Sequence, residues 1–343
     1  MSPGRLTLLL TTPRVPAGLL SRDAWLALDE AALVVGRDAE PQVEALRTVG
    51  VPVQLLATDG QAAAARDLVD RATALGAVVW VGSSDGDPGL TDAIASEVSR
   101  LPDPPEVEVV IGSYDVPGSR LLDVVAVMDR LRSPGGCPWD AEQTHATLVP
   151  YLVEEAHEAV EAIESGDREH MREELGDVLL QVAFHARVAQ DDEGQPFDID
   201  DVAAGLVAKL VRRHPHVFAA DGVGGDAVDS ESVEASWETI KAAEKAQKAG
   251  AAGAEVGGAG PLDGIPVALP PLARATKVVS RLRRRGRDDL LEACLETAYD
   301  DPRSRAGQRL LALVAELGSS GIDPDQALRG VLRDLTLHAA SQP

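Results

Sequence analysis

The sequence predicts an α+β multidomain chain: a small N-terminal α/β layer, then an all-α helical bundle, then a further helical region. Three observations carry this. Short, mostly β-branched apolar runs alternate with amphipathic stretches as far as residue 112. From Leu121 the period changes, and apolar residues recur three and four apart. A Gly/Ala-rich, nearly chargeless segment, GAAGAEVGGAGP (250–261), then interrupts the helical pattern. The predicted boundaries are 1–118, 119–248, a flexible linker at 249–262, and 263–343.

The elements follow in order. LTLLL (6–10), ALVVG (32–36), VPVQLLA (51–57), AVVWVG (77–82) and VEVVIG (107–112) read as strands. Glu40–Val49, Gln61–Leu75 and Leu90–Leu101 read as the helices between them. Such alternation predicts a largely parallel sheet. LLDVVAVMDRL and ELGDVLLQVAFHARVA read as long helices of the middle region. After the linker, Pro270–Arg285 ends in a basic cluster, RLRRRGR, and two further helices are predicted within Asp288–Ala340. Of the ten aromatic residues, seven fall between Tyr114 and Trp237, which points to the middle third as the densest core.

Composition excludes several classes. The 343 residues carry 32 Lys and Arg against 56 Asp and Glu, a formal charge of −24. That balance opposes general nucleic-acid binding, which needs a basic face. Five arginines near residue 284 read more simply as a solvated helix face. No apolar run approaches the ~18–20 residues of a membrane span. Two cysteines, Cys137 and Cys294, make no disulfide framework, so a reducing, cytoplasmic location is predicted.

The chemistry concentrates in residues 151–189. Glu154, Glu155 and Glu158 sit in one predicted helix, where residues three and four apart share a face. Gly166 and Asp167 break the run and suggest a turn with a helix N-cap. A second helix carries Glu174 and Asp177, again three apart, with Leu175, Val178, Leu179, Val182 and Phe184 as its apolar face. Paired antiparallel, the helices can face their acidic pairs toward each other. Four converging carboxylates repel unless cations neutralise them. All-oxygen ligands suit a hard cation, Mg²⁺ or Mn²⁺. Glu161, Glu164, Glu169 and Glu173 read as wet helix surface. Gly176, costly in a helix interior at ~1 kcal/mol relative to Ala, suggests a close helix approach. His214 and His216 flank Pro215 and lack a cysteine partner, so capping is a simpler role than zinc binding. Cys137 reads as a structural thiol. Trp139 reads as a core residue.

LRSPGGCPWDAEQTHATLVPYLVEEAHEAVEAI, followed by REELGDVLLQVAFHARVA, resembles the MazG family of nucleoside triphosphate pyrophosphohydrolases. The resemblance covers roughly Leu121–Lys245. It rests on Glu154-Glu155-x-x-Glu158, fifteen intervening residues, and Glu174-x-x-Asp177, with the GCPWD box (Gly136–Asp140) and KLVRRHPHVF (209–218) alongside. It implies an all-α bundle that hydrolyses NTP to NMP and pyrophosphate with Mg²⁺, water attacking at the α/β phosphate junction. Residue by residue, it implies Glu155, Glu158, Glu174 and Asp177 as metal ligands. Glu154 is a ligand or the group that holds the attacking water, and Glu154 and Glu155 are the catalytic pair. Lys209, Arg213, Trp237 and Lys241 match the nucleotide-engaging positions. Phosphates need Lys and Arg contacts, and a Trp stacks on a base with little choice among bases. A homodimer completing a larger bundle is expected.

The N-terminal third resembles the first, Rossmann-like half of the tetrapyrrole (SAM-dependent) methylase fold. TTPRVP stands where that fold has a Gly-rich loop, and its second half has no room before Leu121. A structural or regulatory remnant without SAM binding is expected. RAGQRLLALVAELGSSGIDPDQALRGVLRDL resembles a degenerate second MazG copy, with Arg305 and Gln308 at its two ligand positions. That copy is expected to pack, not to bind metal. The alternative from another class is a non-catalytic nucleotide- or partner-binding regulatory protein with a structural metal site. Retention of all the acidic pairs disfavours it.

Overall fold

The computed structural model describes residues 4–83, 86–218, 240, 244 and 260–341. The chain divides into two compact units, Met1–Lys209 and Leu210–Pro343.

The first unit opens with five strands: β1 (Arg5–Thr11), β2 (Leu33–Gly36), β3 (Val53–Leu55), β4 (Ala77–Ser83) and β5 (Glu106–Ile111). They form one sheet in the order β3-β2-β4-β1-β5, with every pairing parallel. Parallel strands lie between two helical layers and so read as continuous apolar runs. Both faces are covered over β1, β2 and β4, while Val107, Val109 and Ile111 of the edge strand β5 stay exposed. α3 (Gln61–Leu75) and α4 (Leu90–Val98) pack over Leu6, Leu8, Val35, Val78 and Trp80. α1 (Arg22–Glu30) and α2 (Pro41–Thr48) pack over Leu9, Val34, Val79 and Val81. Arg14, buried at the carboxyl edge of the sheet, binds Asp115 at 2.6 Å and Asp123 at 2.6 Å. This pair of bridges ties the strand layer to α5 (Arg120–Arg132).

The helices that follow are α6 (Pro138–Glu142), α7 (His145–Ser165), α8 (Arg168–Gln190) and α9 (Ile199–Arg213), then the short α10 (Pro215–Phe218). The densest core is not in the middle third. Most of the large, fully buried side chains belong to the α/β layer, whereas the buried cluster among α5, α7 and α8 is Met128, Leu148 and Phe184. Trp139, Tyr151, Phe197 and Phe218 are all exposed by 40% or more. Aromatic density reports where large side chains are, not what covers them.

The second unit contains α11 (Pro271–Arg284), α12 (Asp288–Glu296), α13 (Pro302–Ser319) and α14 (Pro324–Ala340). Its core is Val279, Leu282, Leu291, Val314 and Ala315. Three helices, not two, occupy Asp288–Ala340, because Pro302 starts a new helix just after α12 ends. The basic cluster is not simply solvated: Arg281, Arg283 and Arg285 donate to the carbonyls of Asp263, Ala315 and Gly260. Residues 249–259 of the predicted linker lie outside the described residues.

Candidate metal centre on the helical hairpin

Local sequence explains the α7–α8 hairpin. Thr144 caps α7 by accepting from the Thr147 amide at 3.3 Å, and the Thr147 hydroxyl accepts from the Thr144 amide in return. α7 ends at Gly166, whose φ of 76° is the left-handed conformation glycine adopts freely. Asp167 then caps α8, its Oδ1 accepting from the amides of Glu169 at 3.0 Å and His170 at 3.1 Å. One residue therefore separates a C-cap glycine from an N-cap aspartate's helix, and the two long helices must run back antiparallel. The seam on α7 is lined by buried Ala159 and Ala162, small enough to allow close packing.

This pairing brings the acids together. One carboxylate oxygen from each of Glu155, Glu158 and Glu174 lies within 4.8 Å of the others. Glu155 is half-buried and holds its proton to higher pH than an ordinary glutamate. Burial contributes most to that shift, followed by the charges of Asp177, Glu158, Glu174 and Glu154. The Asp177 charge thus acts on Glu155, although Asp177 lies outside the three-oxygen cluster. Glu154 is exposed beside the cluster. The Glu174 side chain is only 12% exposed, and its Oε2 is buried without a hydrogen-bond partner. An orphaned carboxylate oxygen among like charges is costly in a cation-free protein. The donor set, all oxygen and strongly acidic, fits a hard divalent cation.

Lys209 and Arg213 share a face of α9. Arg213 is already engaged: Glu244 accepts from it at 2.6 Å and from Arg212 at 2.7 Å. The two guanidiniums hold the Glu244 carboxyl down to about 2. Trp237 and Lys241 lie outside the described residues. Gly176 is not a contact point, since a Cβ there would meet nothing within 4 Å. The residues flanking it explain why. Leu175 is 50% exposed, so this side of α8 turns away from α7 while Glu174 turns toward it. The predicted apolar face of α8 is likewise corrected: Val182 is exposed, and the buried residues are Gln181, Ala183, Phe184, Ala186 and Ala189.

Sequence reasoning missed three features. His170 Nε2 sits 3.1 Å from Glu174 Oε1, a pairing legible as a spacing of four. His145 Nδ1 meets His185 Nδ1 at 2.8 Å with ring centroids 5.1 Å apart and planes 5° from parallel. Those values place the rings edge to edge in nearly one plane, so a single proton joins α7 to α8. Trp139, half-exposed, packs edge-on against Tyr151 and Phe184.

Carboxylates brought together across a helical hairpin define the class first: an all-α domain with a candidate hard-cation centre. The comparisons then supply the family. A model of the MazG nucleotide pyrophosphohydrolase domain matches residues 143–218. The chain is 38% identical over 224 residues to the nucleoside triphosphate pyrophosphohydrolase/pyrophosphatase MazG of Thermotoga maritima, covering 62% of this chain and 80% of that protein. It is 47% identical over 170 residues to the nucleoside triphosphate pyrophosphohydrolase of Mycolicibacterium smegmatis, half of this chain and 48% of that one. It is also 49% identical over 250 residues to an uncharacterized 26.1 kDa Streptomyces cacaoi protein from the blaB 3' region, 73% of this chain and 93% of that one. The chain belongs to the MazG family of nucleotide pyrophosphohydrolases, a family of hydrolases. It spans about half the length of the mycolicibacterial relative. Among the described residues, no helix is long and apolar enough to cross a membrane.

Proposed function

We propose that this chain hydrolyses nucleoside triphosphates to nucleoside monophosphate and pyrophosphate, a house-cleaning reaction on canonical or aberrant nucleotides. One observation carries the reading: in a MazG-family chain, Glu155, Glu158 and Glu174 converge within 4.8 Å, with the Asp177 charge acting on Glu155. These four would hold Mg²⁺, with Mn²⁺ as substitute. When bound, the cation supplies Lewis-acid neutralisation of triphosphate charge. Glu154, exposed at the edge of the cluster, accepts a hydrogen bond from the attacking water and turns its lone pair toward the phosphorus. Burial and the neighbouring carboxylates favour the protonated form of Glu155, and a bound cation would oppose that by favouring the charged form. Lys209 and Arg213 offset charge on the phosphates, Arg213 by exchanging its Glu244 partner for a phosphate oxygen. Trp237 and Lys241 complete the nucleotide contacts.

The same reading extends to assembly. Val149, Val153 and Ile163 form an exposed apolar stripe on α7, and Leu175 and Val182 form another on α8. Single folded monomers rarely expose such continuous apolar faces, which supports a homodimer that completes a larger bundle. The N-terminal layer is Rossmann-like in its all-parallel sheet with helices on both faces, and it serves as a scaffold or regulatory remnant. Residues 263–343 act as a degenerate second copy that packs without metal. The protein works in the cytoplasm. Anion-exchange analysis of products from a panel of NTPs with Mg²⁺ tests the chemistry. Equimolar NMP and pyrophosphate are expected, and NDP with orthophosphate as primary products would overturn it.

A further inference from the structure

We propose that His170 is a positioning residue that sets the Glu174 carboxylate for cation binding. The inference rests on the reading of the hairpin as the cation site. Glu174 divides its two oxygens. Oε1 meets His170 Nε2 at 3.1 Å. Oε2 is buried and has no hydrogen-bond partner. A carboxylate anchored through one oxygen presents the other in a fixed direction, and Glu174 already lies in the three-oxygen cluster with Glu155 and Glu158. His170 is itself fixed from below. The Asp167 side chain caps its backbone amide at 3.1 Å, and Asp167 follows the left-handed Gly166 of the hairpin turn. Turn, cap, histidine and glutamate thus follow one another from the loop to the site.

Helix stability alone is a poor account of this pair. An acidic residue four positions before a basic one stabilises a helix better than the reverse order, and here the histidine comes first. What the pair does supply is orientation, since partners that hydrogen-bond metal ligands align them, and their loss typically weakens metal affinity about 10- to 100-fold. His170 is 44% exposed, so its ring can change without opening a cavity.

The test is Mn²⁺ titration by calorimetry and electron paramagnetic resonance on the full chain and four variants. His170→Ala should weaken Mn²⁺ about tenfold or more. His170→Gln carries its amide nitrogen at nearly the same reach as Nε2 and should retain binding close to wild type. His170→Asn reaches only as far as Nδ1 and should behave like His170→Ala. Wild-type affinity in His170→Ala, or equal loss in His170→Gln and His170→Ala, overturns the proposal. If His170→Ala fails to fold, the Gln and Asn variants decide by the same contrast. Glu158→Gln separates the two levels of the argument. Should it bind Mn²⁺ like wild type, the cation site itself is misassigned. Should it lose Mn²⁺ while His170→Ala does not, only the positioning role fails.

Discussion

The α7–α8 hairpin and the C-terminal helices α11–α14 are built from the same materials with opposite results. Both are amphipathic, and Thr144, Asp167, Asp301 and Asp323 cap four of their helices. In the hairpin, Glu155, Glu158 and Glu174 bring their oxygens together, and α7 buries Ala159 and Ala162. In α13, Arg305 is exposed and Gln308 turns inward, its Nε2 within 2.7–3.0 Å of the carbonyls of Cys294, Leu295 and Thr297. One region leaves buried polar groups short of partners, and the other uses a polar side chain to satisfy the open carbonyls at the end of α12. An acidic site therefore costs its helix pair stability until a cation arrives, whereas the amide is a structural clip.

The largest break in this comparison is chemical. Glu158→Gln or Asp177→Asn should cut pyrophosphate release by about a hundredfold or more. Cation catalysis supplies several kcal/mol, and each ~1.4 kcal/mol is tenfold in rate. Steady-state assays with circular dichroism as a fold control check this, and full activity in either variant would remove its residue from the ligand set. On the other side, Gln308→Ala should lower the stability of the C-terminal helices by about 1–3 kcal/mol by leaving part-buried carbonyls open. Turnover per folded molecule should stay unchanged. Urea titration followed by assay of the folded fraction measures both.

A smaller effect comes from pH. The raised Glu155 carboxyl contributes stability below its unfolded pKa, and that contribution is lost as pH rises through the folded one. The cation needs the carboxylate, so Mg²⁺ affinity should rise with pH through the same window and then level off. Calorimetry from pH 5 to 8 follows it, and a flat profile would contradict the shift. The smallest effect concerns His185, whose pKa is lowered by burial and then by His145. Its contribution is present above about 6.5 and is lost as pH falls through the lowered folded value. The melting-temperature gap between wild type and His185→Gln should therefore narrow on acidification.

Much of this was legible in the chain. The central strands could be read because they are buried on both faces, so LTLLL and AVVWVG have no polar alternation to blur them. The acids could be read because a spacing of three on a helix fixes a common face. What could not be read depends on what covers a surface. Seven aromatics suggested a dense middle core, yet Trp139 and Tyr151 have little of this chain above them. Gly176 suggested helix contact, but its direction is set by Glu174 turning inward. The resemblance matches Arg213 to a nucleotide-engaging position, and its partner Glu244 stands 31 residues away in sequence, beyond any local pattern. His170 lay in plain view four positions before Glu174, but i,i+4 pairs are so common that only the orphaned Oε2 gives this one meaning.

The central claim is that cation binding resides in the hairpin and not in the C-terminal helices. Counting bound Mn²⁺ on the full chain, on Glu158→Gln and on Arg305→Ala tests it most directly. The account predicts that Mn²⁺ binding is lost in Glu158→Gln and unaltered in Arg305→Ala. Undiminished Mn²⁺ binding by Glu158→Gln would contradict it.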